Sequence, residues 1–164
     1  MSRQKRVVHM SVSKICQYYY PYRERPSRER LEEGLKAEER TKRKIDYTYY
    51  QLEMEAELHF EDFVVKLYGT ADFVLVDDGR VTIYEKKDYY LNRRCLERVR
   101  LQLSLYALLY SENYGIEYED IKVVALGKDD VELKIKKIPL PELIRKIKQY
   151  AKAKLLLLEA LNDE

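Results

Sequence analysis

The 164 residues predict an α/β fold in which a central mixed sheet, with a hairpin at its middle, is flanked by helices on both faces. Three stretches carry that expectation. Residues 69–87, GTADFVLVDDGRVTIYEKK, place Asp78-Gly79 between two runs rich in Val, Ile, Leu and aromatic residues, a strong short-range signal for a two-residue hairpin. Residues 92–113 carry Leu101, Leu105, Leu108 and Leu109 at helical spacing. Residues 121–126 form a short apolar run typical of a buried strand.

The remaining elements follow in chain order. Ser11 or Ser13 caps a short helix through Ile15 and Tyr18 that ends before Pro21. Ser27 caps a long, charged helix reaching about Ile45, with Leu31, Leu35, Glu38 and Ile45 on its stripe. Residues 51–68 alternate from Glu53 onward, which suggests a strand, with Glu61-Asp62 as a turn leading to the hairpin. After the helix at 92–113 and the strand at 121–126, residues 127–130 turn into an outer strand at 131–138. Pro141 starts an amphipathic helix to about Leu161, with Leu143, Ile147, Tyr150, Lys154 and Leu158 near one face. The expected organisation is a single domain over 1–164: helices within 1–45 forming a cleft wall, a sheet core over 50–140 with the helix 92–113 inserted, and a closing helix at 141–161.

With 46% hydrophobic and 37% charged residues, the composition excludes a disordered or membrane-embedded chain. The net charge of +2 hides a basic start, in which Arg3, Lys5, Arg6, Lys14, Arg23, Arg25, Arg28 and Arg30 face only Glu24 and Glu29. Many Lys and Glu with few Asn, Gln and Cys suggest a heat-adapted source. Cys16 and Cys95 lack metal-ligand spacing, no apolar segment follows the basic N-terminus, and Leu155 to Leu158 is too short to span a bilayer. A cytoplasmic chain with reduced thiols is expected, without membrane association.

If Asp78 and Gly79 are the loop residues, Asp77 faces Arg80, Val76 faces Val81, and Asp72 faces Glu85. Opposed carboxylates repel, by roughly 0.2–1 kcal/mol for an ordinary cross-strand pair, so the arrangement makes sense with a cation between them. Lys87 shares the face of Glu85 by the strand period of two. Two carboxylates and a lysine suit metal-dependent phosphodiester hydrolysis, because Mg2+ or Mn2+ takes oxygen ligands and a lysine offsets charge on the phosphate.

Asp72, followed thirteen positions later by Glu85-Lys86-Lys87, resembles the PD-(D/E)xK nuclease superfamily, although Thr70-Ala71-Asp72 lacks the Pro that names it. Gln102 and Tyr106, four apart on the next helix, complete an order that resembles the RecB-like branch. Ser11-x-Ser13-x-Ile15, then Tyr18-Tyr19-x-Pro21-x-Arg23, is similar to the opening of the CRISPR-associated RecB-like exonucleases. There a cysteine before the Pro joins three near the C-terminus on an iron–sulfur cluster; here Tyr20 stands in that place and no cysteine follows residue 121, so no cluster is expected. Gly34 to Glu38 matches the family's Gly-x-x-x-His spacing with Glu in place of the metal-binding His, and a carboxylate can serve Mg2+ or Mn2+ in its stead.

The resemblance implies a restriction-endonuclease-like fold and a divalent-metal-dependent DNA nuclease of exo- or endonucleolytic type, with single-stranded DNA as the favoured partner and a CRISPR, viral or mobile-element setting. It assigns catalysis to Asp72, Glu85 and Lys87. The metal falls to Asp72, Glu85, the main-chain carbonyl of Lys86 and Glu38. Gln102 and Tyr106 are expected to brace the site, and Arg94, Arg98, Tyr20 and Arg23 to bind nucleic acid. The rival expectation is a nucleic-acid-binding module that kept the fold without the chemistry; oligomeric state is left open.

Overall fold

The computed structural model describes residues 4–22 and 26–162. Strand β1 (Arg6–Ser11) leads into α1 (Val12–Tyr19), and α2 (Arg28–Lys42) precedes β2 (Tyr49–His59), β3 (Phe63–Asp77) and β4 (Arg80–Lys86). Then come α3 (Arg93–Tyr114), β5 (Lys122–Leu126), β6 (Glu132–Ile135) and α4 (Leu140–Asn162). Each early helix starts where a side-chain oxygen satisfies an otherwise unpaired N–H: Ser11 for Lys14, Ser27 for Arg30 and Asn92 for Cys95. Gly115 ends α3 in the left-handed region at φ 72°, as a glycine without Cβ readily does.

The fold is α/β with a mixed six-stranded sheet, restriction-endonuclease-like, and its order is β1-β3-β4-β5-β6 with β2 on the other edge of β3. The hairpin turn puts Asp78 at φ 51° and Gly79 at φ 77°, the backbone a tight two-residue connection demands. β3 is long enough to take two partners on one edge. Residues 63–68 pair in parallel with β1 and residues 73–77 pair antiparallel with β4, while β2 follows the opposite edge. Residues 69–72 lie in the fork between β1 and β4.

One face of the sheet is covered by α3, with α1 and α4 packed beside it. Leu101, Leu103, Leu105, Leu109, Leu143 and Ile147 are fully buried there. Residues 103–110 of α3 are all buried, more than a single stripe, because the sheet and two helices enclose that helix. Among the described residues no helix is long and apolar enough to cross a membrane.

Two stretches depart from the sequence expectation. The N-terminal 45 residues contain a strand as well as helices, since Arg6–Ser11 lies beside Phe63–Tyr68. On α2 the expected stripe is not the packed face: Leu31 and Leu35 are 58% and 60% exposed, whereas Ala37 and Thr41 are buried. Small side chains let α2 approach closely, and the Thr41 hydroxyl donates to Asp130 Oδ1 at 2.5 Å.

Candidate active site

The hairpin ladder runs from Asp77↔Arg80 to Phe73↔Tyr84 and stops one step before Asp72 would meet Glu85. There a side chain takes over from the backbone: Asp72 Oδ2 accepts the Lys86 N–H at 2.9 Å. The hairpin register sets Asp72 on the face of Glu85, toward α3, and β3 changes phase just before it. Gly69 already faces that side, because a Cβ added to it would sit 2.7 Å from Val12 Cγ2 and 3.0 Å from Tyr106 Cε1. Three residues on, Asp72 shares the surroundings of Glu85 and Tyr106, although in a regular strand positions an odd number apart face opposite ways. The alternation therefore slips once within 69–72, and Phe73 swings to the α2 side, its ring 5.6 Å from Tyr47 and 5.3 Å from Tyr50.

On β2 the slip is matched at Gln51, the residue between the Tyr50↔Phe73 and Leu52↔Ala71 pairs, which adopts φ 50°. A left-handed backbone is costly for a residue with a Cβ, about 1–2 kcal/mol, and such strain collects at functional sites. Gln51 also donates from Nε2 to Glu38 Oε1 at 3.1 Å, tying α2 to the strand beside Asp72. Sequence reasoning missed Gln51. The available signal was the change of phase in β3, where Phe63, Val65 and Leu67 occupy odd positions and Val74 and Val76 even ones.

Glu85 is only 4% exposed. Its Oε1 accepts from Gln102 Nε2 at 2.9 Å and pairs with Lys87 Nζ at 3.2 Å, while Oε2 has no hydrogen-bond partner among the described residues. The same Gln102 Nε2 donates to the Tyr106 hydroxyl at 3.0 Å, so the two residues spaced by one helical turn act as a unit. Lys86 points the other way, donating to Gly127 O at 2.8 Å and Asp130 Oδ1 at 2.9 Å. That anchorage holds the end of β4 in the alternation that keeps Glu85 and Lys87 on one face. Asp130 is held below the usual carboxylate range, burial being outweighed by its bonds from Thr41 and Lys86.

Burial, the Glu85 carboxylate and the Glu38 carboxylate push Asp72 well above the ordinary range, against the Lys86 N–H and the Lys87 ammonium. At Lys87 burial acts to neutralise the amine, but Glu85, Tyr89, Tyr22 and Asp72 together outweigh it and its pKa is raised. Lys87 is therefore a fixed cation and donor. Burial and Glu85 likewise keep the Tyr106 phenol protonated. Cys16, behind the site on α1, is a buried free thiol pushed up to about 12 mainly by burial.

The polar line along α3 continues outward from Gln102. Arg98 donates to Tyr20 O at 2.5 Å and to Gln17 Oε1 at 3.4 Å, and Arg94 donates to Pro21 O at 3.4 Å. Both arginines thus hold the end of α1 through carbonyls. Tyr20 is half-buried against the core and also borders the cleft above them. Arg23 lies outside the described residues.

A sequence model of the PD-(D/E)XK nuclease superfamily matches residues 3–164. The chain belongs to this superfamily. A 75-residue stretch is 33% identical to part of an ATP-dependent helicase/nuclease of Streptococcus mutans serotype c (strain ATCC 700610 / UA159), covering 44% of this chain and 6% of that much larger protein. The match supports the RecB-like branch. A solved structure titled "Crystal structure of SSO0001" superposes with a TM-score of 0.58 at 18% identity, over 90% of this chain and 76% of that one, and shares the fold.

A PD-(D/E)XK nuclease is a metal-dependent hydrolase of phosphodiester bonds, typically with Mg2+. The residues of this member fit a divalent cation: the Asp72 and Glu85 carboxylates repel one another, Lys87 pairs with Glu85 Oε1 alone, and the buried Glu85 Oε2 lacks a partner among the described residues. No three His, Cys, Asp or Glu side chains converge as a ready cage among the described residues. Glu38 is near enough to raise the Asp72 pKa, yet its Oε1 is engaged by Gln51.

Proposed function

We propose that this nuclease hydrolyses DNA, with single strands favoured, by exonucleolytic or endonucleolytic cutting, in the cytoplasm of a host with a CRISPR, viral or mobile-element system. The observation that carries the reading is the meeting of Asp72, Glu85 and Lys87 in the sheet fork, with one buried carboxylate oxygen left over. Asp72, Glu85 and the Lys86 carbonyl would hold Mg2+ or Mn2+, with Glu38 reaching it on release from Gln51. When bound, the ion supplies Lewis-acid polarisation of the phosphate and a more acidic water.

The chain's own residues do the rest. Lys87, kept protonated, points its N–H groups at the attacking water and the phosphate, offsetting charge that develops in the transition state. Glu85 fixes the ammonium, and Gln102 fixes Glu85 while its bond to Tyr106 sets the amide orientation. The buried setting strengthens each of these contacts.

End-labelled and circular DNA, single-stranded and duplex, with matching RNA, incubated in Mn2+, Mg2+ or EDTA, test the proposal. Metal-dependent loss of linear single-stranded DNA ahead of duplex and RNA is expected. Preference for RNA, or no cleavage under any condition, would overturn it.

A further inference from the structure

A cleft of about 540 Å³ opens between the end of α1, at Tyr20, Pro21 and Tyr22, and the residues joining β4 to α3. The volume lies in the range of small-molecule sites, roughly 300–1,000 Å³. Tyr22 and Tyr89 line it and are 46% and 36% exposed. Arg98 sits 3.9 Å from the centroid of the Tyr22 ring, held there by its bond to Tyr20 O, so this wall is stiff. Arg93 and Arg94 add charge, and none of the described lining residues is acidic. Tyr89 follows Lys87 by two residues, and Tyr89 and Tyr22 are both among the groups that act on the Lys87 ammonium, so the aromatic walls lie within electrostatic reach of that lysine.

We propose that this cleft is a nucleotide subsite, in which one unpaired base of the substrate strand stacks on Tyr22 and Tyr89 while Arg93 and Arg94 meet the adjoining phosphates. The assignment rests on the nuclease reading and deepens it. Aromatic rings accept any base by its π-face, so the subsite tolerates sequence, and guanidiniums add contacts to the backbone. A base inside a duplex is stacked and paired and offers no free face, so filling the cleft requires a single strand or a frayed end. The cleft is lined by the segment that follows Lys87, which makes the captured nucleotide a neighbour of the cleaved linkage.

The test uses the full chain and a short single-stranded DNA in which one abasic residue is walked along the strand, read as affinity in Ca2+ by fluorescence anisotropy and as cleavage in Mn2+. For the natural protein, one position of the abasic residue should weaken binding roughly 5- to 100-fold, the worth of one base–aromatic stack. The double variant Tyr22→Ala/Tyr89→Ala should lose as much with the intact strand and nothing further with the abasic one. Tyr22→Phe/Tyr89→Phe, which keeps the rings, should behave as the natural protein. A flat abasic walk, or alanine and abasic losses that multiply, overturns the subsite even if cleavage proceeds. A position-dependent loss in Ca2+ without cleavage in any metal upholds the subsite and removes the nuclease reading.

Discussion

Asp72→Asn should make the metal-free protein more stable. In the natural chain Asp72, once ionised, lies in a half-buried fork with the Glu85 carboxylate as its neighbour, and Glu85 Oε2 is buried without a donor among the described residues. A carboxamide in its place removes one charge, still accepts the Lys86 N–H and brings an N–H donor toward Glu85. Relief of cross-strand repulsion contributes about 0.2–1 kcal/mol and satisfying a buried acceptor about 1–3 kcal/mol, so a gain of roughly 1–3 kcal/mol is reasonable. For a domain of this size that raises the thermal midpoint by roughly 2–12 °C. The pH dependence follows from the raised Asp72 pKa: the folded state binds this proton more tightly than the unfolded one. The penalty is complete above the folded pKa, shrinks as pH falls through it, and is gone below the unfolded value of about 3.9. Thermal melts in EDTA should therefore show the variant ahead at pH 8 and level with the natural protein near pH 4. Mg2+ at a hundredfold excess over Kd should cut into that lead at pH 8 by about 2.7 kcal/mol, the stabilisation of the natural site. A variant that melts at or below the natural protein at pH 8 in EDTA, or an advantage undiminished near pH 4, refutes the reasoning.

Gly69→Ala should destabilise the fold by about 1–3 kcal/mol and lower activity through Tyr106, because the new Cβ would lie 2.7 Å from Val12 Cγ2 and 3.0 Å from Tyr106 Cε1; thermal melts in which the variant matches the natural protein would contradict this. Gln51→Gly should keep the stability within about 1 kcal/mol, whereas Gln51→Val, forced to hold φ 50°, should lower it distinctly. Equal thermal midpoints would show that the left-handed backbone is not required there. Lys87→Ala should reduce single-turnover cleavage about a hundredfold or more while DNA affinity in Ca2+ changes little, and parallel losses would assign Lys87 to binding.

The hairpin and its register were legible because a two-residue Asp-Gly turn dictates the count backward, and the observed pairs Asp77↔Arg80 and Val76↔Val81 match it. The meeting of Glu85, Gln102 and Tyr106 was legible for a similar reason: the strand period and the helical period each fix which side chains share a face. What lay outside reach were features decided by distant contacts. β1 is half exposed, interrupted by His9, and becomes a strand through pairing with β3 far downstream. The packed face of α2 follows from the close fit of Ala37 and Thr41 and from the Thr41 bond to Asp130, not from its leucines. Arg94 and Arg98, expected to bind nucleic acid, also donate to carbonyls at the end of α1, a tertiary link that no local pattern announces. The phase slip in β3 escapes a reading that assumes unbroken alternation: the hairpin register alone sets Asp72 on the face of Glu85, and the slip is what keeps Val65 and Leu67, upstream, in the same core.

The measurement that bears most directly on the account is cleavage of end-labelled single-stranded DNA in Mn2+ by the natural protein and by Asp72→Ala, each with and without EDTA. The account predicts cleavage by the natural protein that EDTA abolishes, and none by a variant whose circular dichroism spectrum remains that of the folded chain. Cleavage by Asp72→Ala at the natural rate, or cleavage undiminished by EDTA, would contradict it.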